Sequence, residues 1–397
     1  MSDHRFAKDI PFTQAEYARR LTKVRAAMAE RELDALLVTD PSNMAWLTAY
    51  DGWSFYVHQA VIVLPDADPI WWGRAQDANG ALRTVWMADD RVMGYADHFV
   101  QSTEMHPMQD LAVRFGDLEL SAACIGVEME NYYYSAKAHA ELLSALPQCA
   151  FADATALVNW CRAVKSDEEL TFMRRAARIS EKIIDGLMER TALGVPKNEV
   201  VAAAMADAVT GAEGHWGDYP AIVPLLPSGP DAAAPHLTWN GRPFAGGEAT
   251  FFEISGCYRR YHAPLCRTIF LGTPPDFLKR AEEALLRGLE AGIDMARAGN
   301  RACDVAEALA DELGKSDIKR AARCGYPIGL SYPPDWGERT ISLRAEDETV
   351  LEPGMTFHFM PALWLDDGGL EITEPILITE TGVECLCTTP RQLFVKD

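Results

Sequence analysis

The sequence predicts a two-domain α/β (α+β) chain, with a small α/β domain over residues 1–159 and a larger mixed domain over residues 160–397. Three observations predict it. Segments of helical period alternate with short apolar strand-like runs through the first part. A long amphipathic helix with a serine cap follows a short linker at 159–166. Beyond it, strand-like runs interleave with pairs of helices. A length of 397 residues is enough for two or three cores.

Taken in order, residues 13–32 space their apolar side chains at helical period behind Thr13, with Glu16 three residues on, the pattern of a capped helix. Residues 35–39 predict a buried strand, and Asp40-Pro41-Ser42-Asn43 a loop. The aromatic-rich segment 53–58 leads into a strand at 60–64. A strand at 123–127 and a helix at 135–146 complete the first domain. The second opens with a helix at 167–189 capped by Ser166, followed by one at 197–212. A further pair lies at 275–297 and 301–313, broken at Gly299-Asn300. Between the pairs, Phe251-Phe252-Glu253 ends one strand, Ser255-Gly256-Cys257 reads as a turn, and residues 266–271 form the next strand.

Composition narrows the function classes. The chain is 48% hydrophobic and 24% charged, ordinary for a soluble globular protein. No apolar run approaches the roughly 20 residues that cross a bilayer. The opening MSDHRFAKDIPF lacks the apolar core of a signal peptide, and nine cysteines without a CxxC pair point to reduced thiols, so a cytoplasmic location is expected. A net charge of −21 argues against nucleic acid or an anionic membrane as partner.

The segment 231–272 organises the rest. Glu253 closes an apolar strand, where a carboxylate is costly to bury unless it is paired or used in chemistry. By itself such an acid ordinarily faces water. The surrounding pattern, however, resembles the pita-bread family of creatinases, prolidases and methionine aminopeptidases. In that family a strand ends in Asp, and a second Asp precedes a Thr-Arg-Thr-like tripeptide. A Gly-His-Gly motif, a Glu after Pro-Gly-Met and a final Glu before a Val-Thr strand follow. These five residues hold two metal ions in the peptidases. Here the positions fall on Glu253, on Pro264 in YHAPLCRT, on Tyr326 in GYPIG, on Met360 in EPGMTFHFMP and on Thr373 in GLEITEPILITETG. Proline offers no donor and a thioether suits only soft metals, so the resemblance implies a metal-free relative without a cofactor. The phrases DPSNMAWLTAYDG and RAVKSDEE extend the likeness over nearly the whole chain. It implies a creatinase-like N-terminal domain followed by a pita-bread catalytic domain.

Creatinase, a metal-free hydrolase of a guanidino C–N bond, is the informative member. His236, in Pro235-His236, matches its catalytic histidine, and imidazole can take a proton from water or return one to a leaving amine. Arg344 matches the arginine that grips the substrate carboxylate, a task for a planar, permanently charged fork. Tyr326 replaces one family histidine, and Tyr332 lies beside the position of another; each either donates a hydrogen bond into the pocket or packs. The acids that hold creatinase's guanidinium fall on Cys266 and Thr373, while Glu253 and Glu374 are present nearby. The implied substrate is therefore a different small cation bearing a carboxylate, such as a cyclic amidine. Glu253 either attacks the amidine carbon or anchors the cation, with His236 as base in both routes. Family members pair so that one subunit's N-terminal domain covers the other's site. A homodimer is expected, with Trp53, Phe55 and Tyr56 either covering the partner's pocket or packing in their own domain. The rival expectations are a creatinase-like hydrolase of another small amidino or guanidino acid, an Xaa-Pro peptidase and a non-catalytic protein of this fold.

Overall fold

Thr13 caps helix α1 (Gln14–Glu30) by accepting the Glu16 N–H at 3.2 Å, and Tyr17, Leu21, Val24 and Met28 form its buried face. The computed structural model describes residues 8–320, 322–365 and 368–397, and it divides between Cys161 and Arg162 into two compact units. In the first unit α1 is followed by β1 (Ala35–Val38) and α2 (Pro41–Thr48). The expected loop at 40–43 is instead the start of α2. Asp40 accepts the Ser42 N–H at 2.8 Å, and Pro41 occupies the first turn, where its missing N–H is not needed. There follow β2 (Ala60–Val63), β3 (Ile70–Arg74), α3 (Ala75–Thr84), β4 (Val92–Tyr95) and α4 (Pro107–Asp117). The unit closes with β5 (Cys124–Val127), α5 (Ala136–Ala145), β6 (Ala150–Asp153) and α6 (Leu157–Cys161). The strands form one six-stranded sheet in the order β4-β3-β2-β1-β5-β6, antiparallel only at β1/β2 and β2/β3. β1 and β2 are buried throughout, which is why they read as unbroken apolar runs.

In the second unit the expected linker is fixed to the body of the fold. Val164 bridges Met355, and buried Arg162 and Lys165 pair with Glu338. Helix α7 (Asp167–Arg190) begins with a capping box between Ser166 and Glu169, and α8 (Lys197–Thr210) follows. Strands β7 (Ala249–Tyr258) and β8 (Tyr261–Leu271) form a buried hairpin. The expected turn at 255–257 is strand. The chain reverses at Arg259 and Arg260, whose φ angles of 50° and 67° suit a tight hairpin turn of the right twist. Gly256 marks a close approach rather than a turn, since a Cβ there would lie 2.2 Å from the Ala176 carbonyl oxygen of α7.

Helices α9 (Asp276–Met295) and α10 (Ala302–Gly314) come next, then β9 (Gly325–Pro327), β10 (Thr356–Phe359), β11 (Ala362–Leu365) and β12 (Gly368–Glu371). The chain ends through β13 (Glu374–Ile378), β14 (Val383–Cys385) and β15 (Phe394–Lys396). One sheet runs β14-β13-β10-β9, another β15-β8-β7, and β11 pairs with β12. Leu285 and Leu289 of α9, Leu309 of α10, and Phe357, Phe359 and Ile376 of the four-stranded sheet share one core.

Candidate active site

The register of the β7–β8 hairpin selects the face on which chemistry can occur. Glu253 lies opposite Cys266, Ser255 opposite Pro264 and Cys257 opposite His262, so these side chains share one face. Gly256 turns the other face to α7. Phe251 and Thr268 form the next pair on the open face, and Thr268 fastens a second segment to it. Its hydroxyl donates to the Glu371 carbonyl and accepts the Glu371 N–H, both at 2.9 Å. The segment that leads toward His236 is tied on as well, through a two-way backbone bridge between Leu225 and Glu253 at 3.0 and 3.1 Å. Leu225, Ala232, Phe251 and Cys266 pack as an apolar cluster, with Ile222 and Trp364 against it.

A third side of the site comes from β9 and β10, where register sets Tyr326 opposite His358. The Tyr326 hydroxyl hydrogen-bonds His358 Nδ1 at 2.9 Å and accepts the Trp336 indole N–H at 2.7 Å. On the far side of the ring, His358 Nε2 meets Thr373 Oγ1 at 2.8 Å, and that oxygen also accepts the Cys266 N–H at 2.8 Å. His358 Nδ1 stands 4.0 Å from Glu253 Oε1.

Burial governs the charges. It holds the Glu253 carboxyl well above the usual carboxylate range, and repulsion from Glu371 adds to the rise. Burial pushes Glu371 up to about 7, although the Cys266 thiol and Arg320 oppose it. Among the described residues no nitrogen or oxygen donor meets either Glu371 carboxylate oxygen, and the Cys266 thiol is the polar group beside them. His358 is lowered to about 3 by burial and by the Arg323 charge, so its imidazole is neutral. Arg323 lies over the Tyr326 ring, 4.6 Å from its centroid.

The residues singled out from sequence divide into four groups. Glu253 and Tyr326 belong to this cluster. Glu374 is also buried, but it is held by Arg267 at 2.7 Å and by Arg391 at 3.1 Å, which gives it a structural ion pair. Tyr332 is buried with its ring 5.3 Å from the Arg260 guanidinium. His236 lies on an exposed turn beyond the Leu225 bridge. Arg344 is exposed, donates to Ser342 Oγ at 3.3 Å, and lines a cleft with Arg320, Cys324 and Glu346 beside α10. Trp53, Phe55 and Tyr56 lie in the N-terminal unit. Trp53 and Tyr56 are 56% and 67% exposed, and Phe55 stacks edge-on against Tyr133. Sequence reasoning missed Glu371, His358 and Trp336. An acid and an imidazole inside apolar runs were the available signal.

The donor set bears on metal binding. At the five positions where the resemblance puts metal ligands stand Glu253, Pro264, Tyr326, Met360 and Thr373. Two of the three oxygen donors, Tyr326 and Thr373, are engaged with Trp336, His358 and Cys266. Among the described residues no group of three or more His, Cys, Asp or Glu is arranged to hold a metal ion. These residues do not fit a two-metal centre.

Comparison with known proteins places the chain among related sequences and folds. Residues 171–380 match the model of metallopeptidase family M24, and residues 20–164 match the creatinase/prolidase N-terminal domain. An ectoine hydrolase of Halomonas elongata is 57% identical, over 98% of this chain and 99% of that protein. A creatinase of a Bacillus species is 24% identical, over 96% of this chain and 92% of its own. A dipeptidase structure from Pyrococcus horikoshii superposes with a TM-score of 0.79 at 21% identity, covering 95% of this chain and 99% of that one. That last likeness concerns the fold.

Proposed function

Since the chain belongs to metallopeptidase family M24, joined to a creatinase/prolidase N-terminal domain, we propose that it is a hydrolase that opens the cyclic amidine ring of ectoine. The observation that carries this reading is the pair Glu253 and Glu371, two buried carboxyls, the second of which raises the cost of ionising the first. A cation placed beside them offsets the cost of one negative charge, so the pair holds one ionised and one protonated carboxyl. Ectoine supplies such a cation, an amidinium shared by two ring nitrogens, with a methyl group on the amidine carbon and a carboxylate on the ring. Phe251 and Trp364 suit the methyl edge and the cation. The 57% identical ectoine hydrolase favours this substrate over another amidino or guanidino acid.

In the reaction, water adds at the amidine carbon and one ring C–N bond breaks. The bonding pair leaves with nitrogen, and the product is an N-acetylated 2,4-diaminobutyrate. Glu253 either attacks the carbon to form an acyl-type intermediate, which water activated by His236 releases, or it orients the amidinium while His236 activates water directly. An adduct trapped in His236→Ala and seen by intact mass supports the first route, and a fully active Glu253→Ala enzyme rejects both. The carboxylate we assign to Arg323, whose guanidinium stands over Tyr326. A rise in KM confined to Arg344→Ala would return that role to Arg344. Metal independence rests on the donor set at the five ligand positions.

The deciding experiment is proton NMR of ectoine with purified enzyme in excess EDTA. A new acetyl signal establishes turnover without metal, and the couplings of the amide proton identify which ring bond was cut. Unchanged ectoine, with and without added divalent metal, rejects the reading.

A further inference from the structure

We infer that Tyr326, His358 and Thr373 form a proton wire that serves the departing ring nitrogen, an inference that rests on the hydrolase reading above. The wire is continuous: Tyr326 hydroxyl to His358 Nδ1 at 2.9 Å, and His358 Nε2 to Thr373 Oγ1 at 2.8 Å. Both ends are fixed by donors that cannot reverse. The Trp336 indole N–H donates into Tyr326 at 2.7 Å, and the Cys266 backbone N–H donates into Thr373 at 2.8 Å. All four side chains are buried.

Counting hydrogens gives the wire its property. A neutral imidazole brings one hydrogen and the two hydroxyls bring one each, yet only two internal bonds need a hydrogen. One hydrogen is always left over. With the ring proton on Nδ1, Thr373 donates to Nε2 and the Tyr326 O–H is spare. With the ring proton on Nε2, Tyr326 donates to Nδ1 and the Thr373 O–H is spare. The ring does not have to turn between these states, and it does not have to become charged. Both ends flank Glu253, because Tyr326 bonds the nitrogen 4.0 Å from Glu253 Oε1, and Thr373 bonds Cys266, the residue opposite Glu253.

The proposed step balances. As the C–N bond breaks, its electron pair goes to nitrogen and nitrogen takes the spare Tyr326 proton. His358 refills Tyr326 from Nδ1 and takes the Thr373 proton on Nε2. Thr373 takes its replacement from the protonated carboxyl of the Glu253–Glu371 pair. When water attacks, His236 takes its proton as base and releases it to Tyr326, the shifts run backwards, and the carboxyl regains its proton. One water is consumed and every protein group returns to its starting form.

A merely structural role for His358 predicts something else, and glutamine separates the two. Its amide can accept at one end and donate at the other, but it cannot pass a proton on. His358→Gln is therefore expected to keep KM within a few-fold and the melting temperature close to that of the wild type. Its kcat should fall by about 100-fold or more, the ordinary worth of acid–base catalysis. Thr373→Ser should keep kcat and Thr373→Val should lose it, with Tyr326→Phe losing as much. A His358→Gln enzyme with wild-type kcat overturns the wire. Nitrogen-15 NMR of His358 in the free wild-type protein gives a readout independent of turnover. One protonated and one bare ring nitrogen at neutral pH supports the wire, and an imidazolium overturns it. Failure to turn over ectoine would count against the substrate, whereas a charged His358 would count against the wire.

Discussion

Glu371 and Glu374 are three residues apart and both fully buried, and their surroundings differ. Glu374 is compensated by Arg267 and Arg391, while the Glu371 oxygens meet no nitrogen or oxygen donor among the described residues and the Glu371 charge repels that of Glu253. Replacing one member of a buried ion pair strands its partner, so Glu374→Gln should cost about 3–5 kcal/mol of stability in denaturant unfolding. Glu371→Gln should fold at least as stably and lose ectoine kcat/KM by about 100-fold, the value of one well-placed charged contact. Equal effects on stability would reject the division. The pH dependence follows from the same pair. Glu371 is raised in the fold, so its contribution is present below the carboxylate range and is lost as pH rises through about 7. The melting temperature of Glu371→Gln should therefore gain on wild type between roughly pH 5 and pH 8. His358 acts in the opposite sense. Lowered to about 3, it contributes stability above pH 6.5 that is lost as pH falls toward 3. Glu253 was legible as an acid closing an apolar strand. Glu371 carries the same signal in GGLEIT, but the sequence does not show which of two nearby acids meets an arginine.

At the scale of elements, the β7–β8 hairpin sets the site, because its register decides what stands beside Glu253. A one-residue slip would send Glu253 to the α7 face and Gly256 to the open one. Gly256→Ala tests this packing. Its methyl would meet the Ala176 carbonyl at 2.2 Å and the Ser180 nitrogen at 2.5 Å, both backbone atoms. Overpacking of that kind should lower stability by about 1–3 kcal/mol, read by thermal unfolding, and wild-type stability would show that β7 can move away from α7. The helices were legible to within a few residues because their caps and periodicity are local. The hairpin turn was misplaced by about one turn length, because Ser-Gly imitates turn chemistry where the glycine instead admits a neighbouring helix.

For the whole molecule, the N-terminal unit poses the remaining question. Trp53 and Tyr56 expose large rings on a loop of that unit, a costly arrangement unless something covers them. If the unit closes a partner's site, Trp53→Ala/Tyr56→Ala should raise KM for ectoine about tenfold or more. Co-expressed with an inactive Glu253→Gln chain, it should recover activity in mixed dimers, one of whose two sites is then intact. An enzyme that is fully active as a monomer by light scattering would reject this arrangement.

The sequence by itself determined the two-domain α/β order, the capped helices, the match to the pita-bread framework and the loss of metal donors at its ligand positions. Each of these is written in residue type and spacing along one segment. Only the tertiary structure decided the company that Glu253 keeps. Tyr326, His358 and Thr373 come from separate segments and meet through strand register, and Glu371 joins them through Thr268. A hydrogen bond or a charge repulsion depends on distances of a few ångströms between atoms far apart in the chain. No local pattern encodes those distances until the strands have paired.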